Sequence, residues 1–354
     1  MGFCPSPFWQ DEMIYAAGEM EIDMKNGTKL LDTNGNILHA HGGWMLKKDG
    51  WFYWFGENRL GDIRVSCYRS KDMENWEHRN DVLTLSSQTK EHYIRVDGRM
   101  KHEFPGENGA EPYILGCNIE RPKVIYNKKN DNYVMWMHYE NGKHYGDARC
   151  AVAVCDTIDG DYRYMGSFNP VGNMARDCTV FVEDDGTAYF MAAARENQDL
   201  ILYRLTDDYL AIEEQVKILW PGQCREAPAL FKREGLYYLL TSACTGWGPN
   251  QGKYAVSGKL TEGWSNLMNF GDETTYRSQA AFVLPLQGPD GIEYVYVGDR
   301  WNGEAYHEST YTFYPLHFDN QGRLELEYAE EIEFNLPEGK VRVNGGEQEE
   351  QNHI

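Results

Sequence analysis

A repeated hairpin pattern constrains the fold of this chain more than any other sequence feature. Five times, an apolar strand-like run is followed by a turn and an aromatic strand-like run, first in HAHGGWMLKKDGWFYWFGEN at 39–58. The other copies are IERPKVIYNKKNDNYVMWMHYE at 119–140, ARDCTVFVEDDGTAYFMAAA at 175–194, REAPALFKREGLYYLLTSA at 225–243 and RSQAAFVLPLQGPDGIEYVYVGDRW at 277–301. More strand-like runs follow each hairpin, so each repeat holds about four strands, which is typical of a β-propeller blade.

The spacing of the repeats predicts an all-β, five-bladed β-propeller that forms a single domain over residues 1–354. No sustained helical period competes with the strand pattern. The predicted blades cover residues 38–85, 118–170, 175–218, 224–270 and 277–330. Residues 86–117 are predicted to be a long insertion and residues 338–354 a polar tail. We expect residues 1–30 and the tail to seal the ring or to lie on it.

Charge and composition exclude several classes of partner. The chain has 34 basic and 55 acidic side chains and a formal charge of −21, which repels nucleic acid and anionic membrane surfaces. The N-terminus lacks the basic and apolar regions of a signal peptide, and no apolar stretch reaches the length of a membrane span. We therefore expect a cytoplasmic protein, or a secreted one if a signal peptide was removed.

The eight cysteines show no metal-site spacing and are expected to be reduced, so we predict neither a metal nor a cofactor. The oligomeric state is left open.

One residue in each repeat stands at an equivalent position near the start of the first strand. These residues are His41, Glu120, Asp177, Glu226 and Gln279. In a propeller the first strands line a central channel, so these side chains are expected to converge at one end of it. Three of them are carboxylates at the start of apolar strands, where an unpaired charge is costly. The alternative is that they only cap strands or pair with the adjacent arginines, which are Arg121, Arg176 and Arg225.

Eight short motifs occur in order between residues 31 and 330. They are DTNGNILHAHGG at 32–43, WFGEN at 54–58, IERPKVIYN at 119–127, ARDCTVFVEDDGTAY at 175–189, REAPALF at 225–231, TGWGPN at 245–250, SQAAFV at 278–283 and GDRW at 298–301. Together they resemble family 43 of the glycoside hydrolases, most closely its exo-β-1,3-galactanase branch, subfamily 24.

This resemblance implies roles for the equivalent residues. Glu226 matches the general acid on blade four, and Asp177 matches an aspartate that tunes the pKa of the acid and contacts the sugar. The family usually has an aspartate base on blade one, where this chain has His41. The galactanase branch shares that departure. A glutamine there, matching Gln279, is implicated as the base, and Glu120 completes the site.

The chemistry of glycoside hydrolysis requires these residue types. A carboxylic acid donates a proton near neutral pH only if its surroundings raise its pKa, which Asp177 and Glu120 would do for Glu226 by like-charge repulsion. A water must also be held on the opposite face of the sugar. An amide such as Gln279 orients water well but is a poor base unless it shuttles a proton through an imidic acid form. His41 is the alternative base, or else it bonds the sugar or the core.

Further side chains are candidates for binding the sugar. Trp247 and Trp301 follow the second strands of blades four and five, where they either stack on a pyranose ring or pack in the core. Glu57, Tyr126 and Asn250 are candidates for contacts with hydroxyl groups.

The predicted function is an exo-acting, inverting hydrolase that releases galactose from β-1,3-galactan or arabinogalactan oligosaccharides. Within the same family, α-L-arabinofuranosidase and β-xylosidase activities are alternatives. A glycoside phosphorylase would use the three arginines to hold phosphate. A sugar-binding propeller without catalysis is the remaining alternative.

Overall fold

The computed structural model describes residues 21–89, 92–96, 99–103 and 117–344. These residues form β-strands and connecting loops, with short 3₁₀ helices at Pro170–Gly172 and Tyr306–Glu308. The prediction of an all-β chain is therefore confirmed. None of the helices in these ranges has the length and hydrophobicity needed to cross a membrane. The expectations for residues 1–20 and 345–354, and for most of the 86–117 insertion, lie outside the described residues.

Within the described ranges, five four-stranded antiparallel sheets follow one another along the chain, each with its strands in sequence order. Strand β1 (Glu21–Lys25) precedes them. The first sheet contains β2 (His41–Lys48), β3 (Trp51–Asn58), β4 (Arg64–Ser70) and β5 (Glu77–Leu83). A separate hairpin, β6 (His92–Val96) and β7 (Arg99–Glu103), lies within the predicted insertion. The second sheet contains β8 (Asn118–Asn127), β9 (Asn132–Glu140), β10 (Arg149–Cys155) and β11 (Arg163–Phe168).

The remaining sheets follow the same order. The third sheet contains β12 (Cys178–Val182), β13 (Ala188–Ala194), β14 (Asp199–Leu205) and β15 (Ile212–Leu219). The fourth contains β16 (Arg225–Arg233), β17 (Leu236–Ala243), β18 (Lys253–Ser257) and β19 (Met268–Asn269). The fifth contains β20 (Gln279–Gly288), β21 (Gly291–Arg300), β22 (Thr310–Phe318) and β23 (Leu324–Leu326). Strands β24 (Glu331–Asn335) and β25 (Lys340–Asn344) form a three-stranded sheet with β1, so the predicted polar tail begins with a strand.

The first strands of the five sheets contact one another in a closed cycle. Strand β2 contacts β8, β8 contacts β12, β12 contacts β16, β16 contacts β20, and β20 contacts β2. Large aromatic side chains fill the space between and within the sheets, and Trp54, Trp136 and Phe55 are among those that are almost fully buried. The cycle brings the beginnings of all five first strands into one region of the molecule.

Tight turns set the register of the hairpins. Lys48 pairs with Trp51 across a two-residue loop, and both loop residues, Asp49 and Gly50, have positive φ angles of 50° and 75°. This is the type I′ geometry, whose twist matches that of antiparallel strands. A residue with a side chain tolerates such angles only at a cost, which explains why glycine stands at the second position.

A β-bulge follows the predicted site residue in most of the first strands. The register shifts lie between His41 and Trp44, Glu120 and Lys123, Glu226 and Ala229, and Ala280 and Phe282. In three of these strands the residue after the site residue has a positive φ: Gly42 at 56°, Arg121 at 50° and Ala227 at 50°. Bulges bend a strand and change the direction of a side chain, so they orient the site residues away from the regular ladder.

Candidate active site

Arg121 connects the predicted catalytic residues of three sheets. Its Nε lies 2.8 Å from Asp177 Oδ2, and its terminal nitrogens donate to Gln279 Oε1 at 2.5 Å and to the carbonyl of Ala280 at 2.9 Å. The side chain is almost fully buried. Asp177 Oδ2 also accepts from the backbone N–H of Ala227 at 3.1 Å, which fixes the carboxylate beside β16.

Glu226 has the properties of a proton donor. Its Oε1 accepts from Gln279 Nε2 at 3.1 Å, and its Oε2 accepts from Asn197 Nδ2 at 3.0 Å. Burial and the nearby Asp177 carboxylate raise the pKa of Glu226 to about 7, against the opposing effect of Arg121. A carboxyl group with this pKa is protonated in a large share of molecules at neutral pH, as a general acid must be.

All the hydrogen-bonding positions of the Gln279 amide are used by protein groups. Its Nε2 donates to Glu226 Oε1 and, at 2.8 Å, to Ser242 Oγ. Its Oε1 accepts from Arg121 and, at 2.7 Å, from Trp301 Nε1. An amide has two donor hydrogens and two acceptor lone pairs. Gln279 is therefore held rigidly against Glu226, and a water bound to it would have to replace one of these partners.

Glu120 is held as an anion. Its Oε1 accepts from Arg59 and from the Tyr145 hydroxyl, both at 2.6 Å, and its Oε2 lies 3.0 Å from His138 Nδ1. Burial alone would raise the pKa of Glu120, but His138, Arg59 and Tyr145 together lower it well below its ordinary value. Such a stabilised carboxylate is a weak base, so the surroundings suit Glu120 to holding charge or substrate.

His138 lies between two carboxylates. Its Nε2 is 2.9 Å from Glu140 Oε1, opposite the contact with Glu120. Burial favours the neutral ring, yet the two carboxylates raise the pKa of His138 to about 9. Ligand atoms of Glu120, His138 and Asp177 lie within 4.8 Å of one another, so this group could hold a cation. A bound cation would have to displace the proton from the His138 ring. Without a cation, the charged His138 ring lies between the Glu120 and Glu140 carboxylates and pairs with both.

Glu57 and Arg59 extend this network to the first sheet. Glu57 is 2% exposed and its Oε2 accepts from Arg59 at 2.7 Å. Burial and the charge of Glu120 raise the pKa of Glu57 against the effect of Arg59. The Arg59 guanidinium also lies 4.4 Å from the centre of the Tyr306 ring. The Glu57 side chain leaves no room for a side chain at residue 42, because a Cβ there would lie 2.7 Å from Glu57 Oε1.

His41 lies in the core behind the site. Its side chain is fully buried, its Nδ1 is 3.0 Å from Asp299 Oδ1, and its ring stacks on Tyr311 at 4.7 Å. Asp299 Oδ2 accepts from the backbone N–H of Gly42. These contacts favour the packing alternative for His41 over the role of catalytic base.

An aromatic wall borders Gln279. The Trp301 ring, which donates to Gln279, stacks on Tyr306 at 5.6 Å, and Trp247 packs edge-on against Trp301 at 5.5 Å. Trp247 is 43% exposed, so one part of its ring is open to a ligand. Asn250 instead holds the loop that carries Trp247, because its side chain accepts from and donates to the backbone of Ala243 at 2.8 and 3.0 Å.

Tyr126 does not lie with the other predicted residues. It stands near the end of β8, six residues after Glu120, which corresponds to about 20 Å along an extended strand. Its hydroxyl donates to Asp131 at 2.6 Å, and its ring packs on Tyr133. The expected hydroxyl contact with a sugar is therefore replaced by a role in the hairpin turn.

The residues that sequence reasoning missed lie mainly on the second strands and the loops after them. They are Arg59, His138, Tyr145, Asn197 and Ser242. The strand register contains a usable signal, since Glu120 pairs with His138 and Glu226 pairs with Ser242. Aligning the ends of the second strands as carefully as the starts of the first would have revealed His138 and Ser242.

The chain is similar in sequence and fold to known glycoside hydrolases. The family model described as "Glycosyl hydrolases family 43" matches residues 122–280. An exo-β-1,3-galactanase from Clostridium thermocellum is 46% identical with a TM-score of 0.82, and the match covers 91% of this chain and 68% of that chain. An exo-β-1,3-galactanase from Phanerochaete chrysosporium, solved with β-1,3-galactotriose, is 34% identical with a TM-score of 0.78, covering 91% and 70%.

The match with a third structure extends over almost the full length of that structure's chain. It is a family 43 β-1,3-galactosidase solved with galactodeoxynojirimycin, 31% identical with a TM-score of 0.76, and the match covers 87% of this chain and 99% of that chain. The search of curated proteins returned no match. Sequence identity of 31–46% over most of both chains shows that this chain belongs to glycoside hydrolase family 43.

Proposed function

We propose that this glycoside hydrolase is exo-acting, releases galactose from the end of β-1,3-linked galactan oligosaccharides, and inverts the anomeric centre. The similar enzymes from Clostridium thermocellum and Phanerochaete chrysosporium are exo-β-1,3-galactanases, and a third relative is a β-1,3-galactosidase. The observation that carries the catalytic part is Glu226, a partly buried carboxyl group beside Asp177 with a pKa of about 7.

The five four-stranded sheets are proposed to be the blades of one β-propeller. The closed cycle of contacts among β2, β8, β12, β16 and β20 supports this arrangement, because first strands surround the channel in a propeller. The substrate pocket would then lie where these strands begin.

Glu226 is proposed to protonate the glycosidic oxygen as its bond to the sugar breaks. Asp177 keeps the acid protonated by like-charge repulsion, and Arg121 neutralises Asp177 so that two carboxyl groups can share the site. Asn197 and Gln279 orient the Glu226 carboxyl by bonding one oxygen each.

Gln279 is proposed to hold the attacking water after substrate has entered. Without substrate its amide bonds directly to Glu226, whereas an inverting enzyme needs space for a sugar and a water between acid and base. A glycosidic oxygen bonded to Glu226 would take the place of the amide. The freed Nε2 of Gln279, in the imidic acid form of the amide, would then accept a proton from the attacking water while the imidic hydroxyl releases its own proton. Ser242, Arg121 and Trp301 would keep the group in place.

The test is a time course with β-1,3-galacto-oligosaccharides of defined length. We expect galactose as the first small product, together with an oligosaccharide shortened by one residue. Disaccharides or trisaccharides released before galactose would contradict exo action. Aryl α-L-arabinofuranosides and β-xylosides serve as competing substrates, and faster cleavage of either would contradict the assignment to galactose. Turnover that requires phosphate would identify a phosphorylase instead.

A further inference from the structure

Two exposed cysteines flank Glu226 on adjacent strands. Cys224 directly precedes β16, and Cys244 directly follows β17. The outermost register pair of these strands is Arg225 with Ala243, so the cysteines are the next residues on the two sides. Both are free thiols.

The strand register brings both thiols to the end of the hairpin that carries the acid. Glu226 pairs with Ser242, and the two cysteines stand two residues before and two residues after this pair. Cys224 lies outside the strand with a positive φ of 53°, so strand alternation does not set its direction, but it is close enough to Cys244 to raise the pKa of that thiol. The Cys244 sulfur contacts the carbonyl of Asn197 at 3.8 Å, and the Asn197 amide bonds Glu226. The Cys244 thiol also lies close enough to Glu226 that its hydrogen bond lowers the pKa of that carboxyl.

We propose that Cys224 and Cys244 form a reversible disulfide at the rim of the active site, made by exchange with a low-molecular-weight disulfide, and that this bond withdraws the Cys244 thiol from Glu226. Opposed residues of antiparallel strands have Cβ atoms about 4.5–5.5 Å apart. A disulfide needs about 3.5–4.5 Å. The required movement is about 1 Å, and it is made against the backbone hydrogen bond that Cys224 donates to the carbonyl of Gln198 at 3.3 Å.

The exchange proceeds in two balanced steps. The Cys224 thiolate attacks one sulfur of the small disulfide, and the other half leaves as a thiolate. The Cys244 sulfur then attacks the Cys224 sulfur, loses its proton to Glu226 or to water, and expels the second small thiol. Two protein thiols are oxidised and one small disulfide is reduced to two thiols. Burial and Glu226 raise the pKa of Cys244 to about 12, so Cys224 is the first nucleophile and the second step is the slower one.

The consequence for activity rests on the proposed role of Glu226 as general acid. The charged or titratable groups that act on Glu226 include Asp177, Arg121, Arg225 and Cys244. The disulfide changes only the last of these, by removing a hydrogen-bond donor from the carboxylate. Loss of that donor raises the pKa of Glu226, so the oxidised enzyme keeps its activity to higher pH than the reduced enzyme.

The bond is tested by mass spectrometry on the full chain after treatment with oxidised glutathione. Trypsin places Cys224 in residues 218–225 and Cys244 in residues 234–253. We expect these peptides to be linked, lighter by the two thiol hydrogens, and separated by dithiothreitol. Glutathione adducts without the link would overturn the proposal.

Activity profiles then test the coupling to Glu226. The alkaline limb of kcat/KM should move to higher pH on oxidation and return on reduction. Cys224→Ser should have the reduced wild-type profile and not respond to oxidised glutathione, whereas the matched control Cys155→Ser should respond like wild type. A linked protein with an unmoved limb would overturn the coupling. If the Cys224–Cys244 disulfide forms in a protein that does not cleave galactosides, only the proposed function is contradicted. If the enzyme cleaves galactosides but the disulfide does not form, only this inference is contradicted.

Discussion

The pH dependence of hydrolysis should respond to the charge of Asp177. Glu226 must be protonated to act, so activity is present below its pKa of about 7 and is lost as the pH rises through that value. Asp177→Asn removes the repulsion that raises this pKa and leaves Arg121 free to lower it further. A close like charge typically contributes about 1 pKa unit or more, so the alkaline midpoint should fall from about 7 to about 6. At pH 7 the protonated fraction would drop from about one half to about one tenth.

The assay is kcat/KM against pH on β-1,3-galactobiose, because this ratio reports the free enzyme. Asp177→Asn also lowers the rate if Asp177 touches the sugar, but the midpoint is independent of the height of the profile. Glu183→Gln is the matched control. Asp177 directly precedes β12 and Glu183 directly follows it. The Glu183 carboxylate pairs with Lys232 at 2.9 Å. It lies six residues away, about 20 Å along the strand, where screening removes its effect. An unmoved midpoint in Asp177→Asn would refute the electrostatic role and leave burial as the cause.

Four further predictions concern the site residues and the stereochemistry of the reaction. Glu226→Gln should lower turnover of galacto-oligosaccharides by roughly 10²–10⁴-fold while calorimetric binding is kept, and a parallel loss of affinity would assign Glu226 to substrate binding instead. Gln279→Ala should cost at least about a hundredfold in turnover. His41→Ala should instead lower the free energy of unfolding by about 1–3 kcal/mol in thermal denaturation, because Asp299 Oδ1 loses its histidine partner in the core and only Oδ2 keeps one, the N–H of Gly42. A crippled but stable His41→Ala enzyme would identify the histidine as the base. Early proton NMR spectra should show α-galactose as the first product, and β-galactose would require a retaining route.

The repeat pattern and its turns could be predicted from sequence because they depend on neighbouring residues. The turn at Asp49 and Gly50 follows from the φ angles that a two-residue loop needs, and the apolar runs on each side follow from burial of the first strands. Equivalent positions in successive repeats then pointed to Glu120, Asp177, Glu226 and Gln279 as neighbours. The structure joins Asp177, Glu226 and Gln279 through hydrogen bonds and an ion pair with Arg121, and a carboxylate oxygen of Glu120 lies within 4.8 Å of one from Asp177.

Tyr126 shows where a motif alone is insufficient. It belongs to the same motif as Glu120, yet each residue of an extended strand adds about 3.3 Å, so the end of IERPKVIYN lies far from its beginning. His41 illustrates a different limit of sequence patterns. Its position in the repeat is equivalent to that of the carboxylates, but Asp299 from the fifth sheet binds it in the core.

The sequence by itself determined the strand periodicity, the number of repeats and which residue types begin the first strands, because each of these depends on local spacing. The tertiary structure decided which charges meet. Arg121 bonds Gln279, which is 158 residues further along the chain, and Arg59 joins Glu57 to Glu120 from another sheet. The protonation of Glu226 depends on burial and on the distances to Asp177 and Arg121, and only the packing of separate sheets sets those quantities.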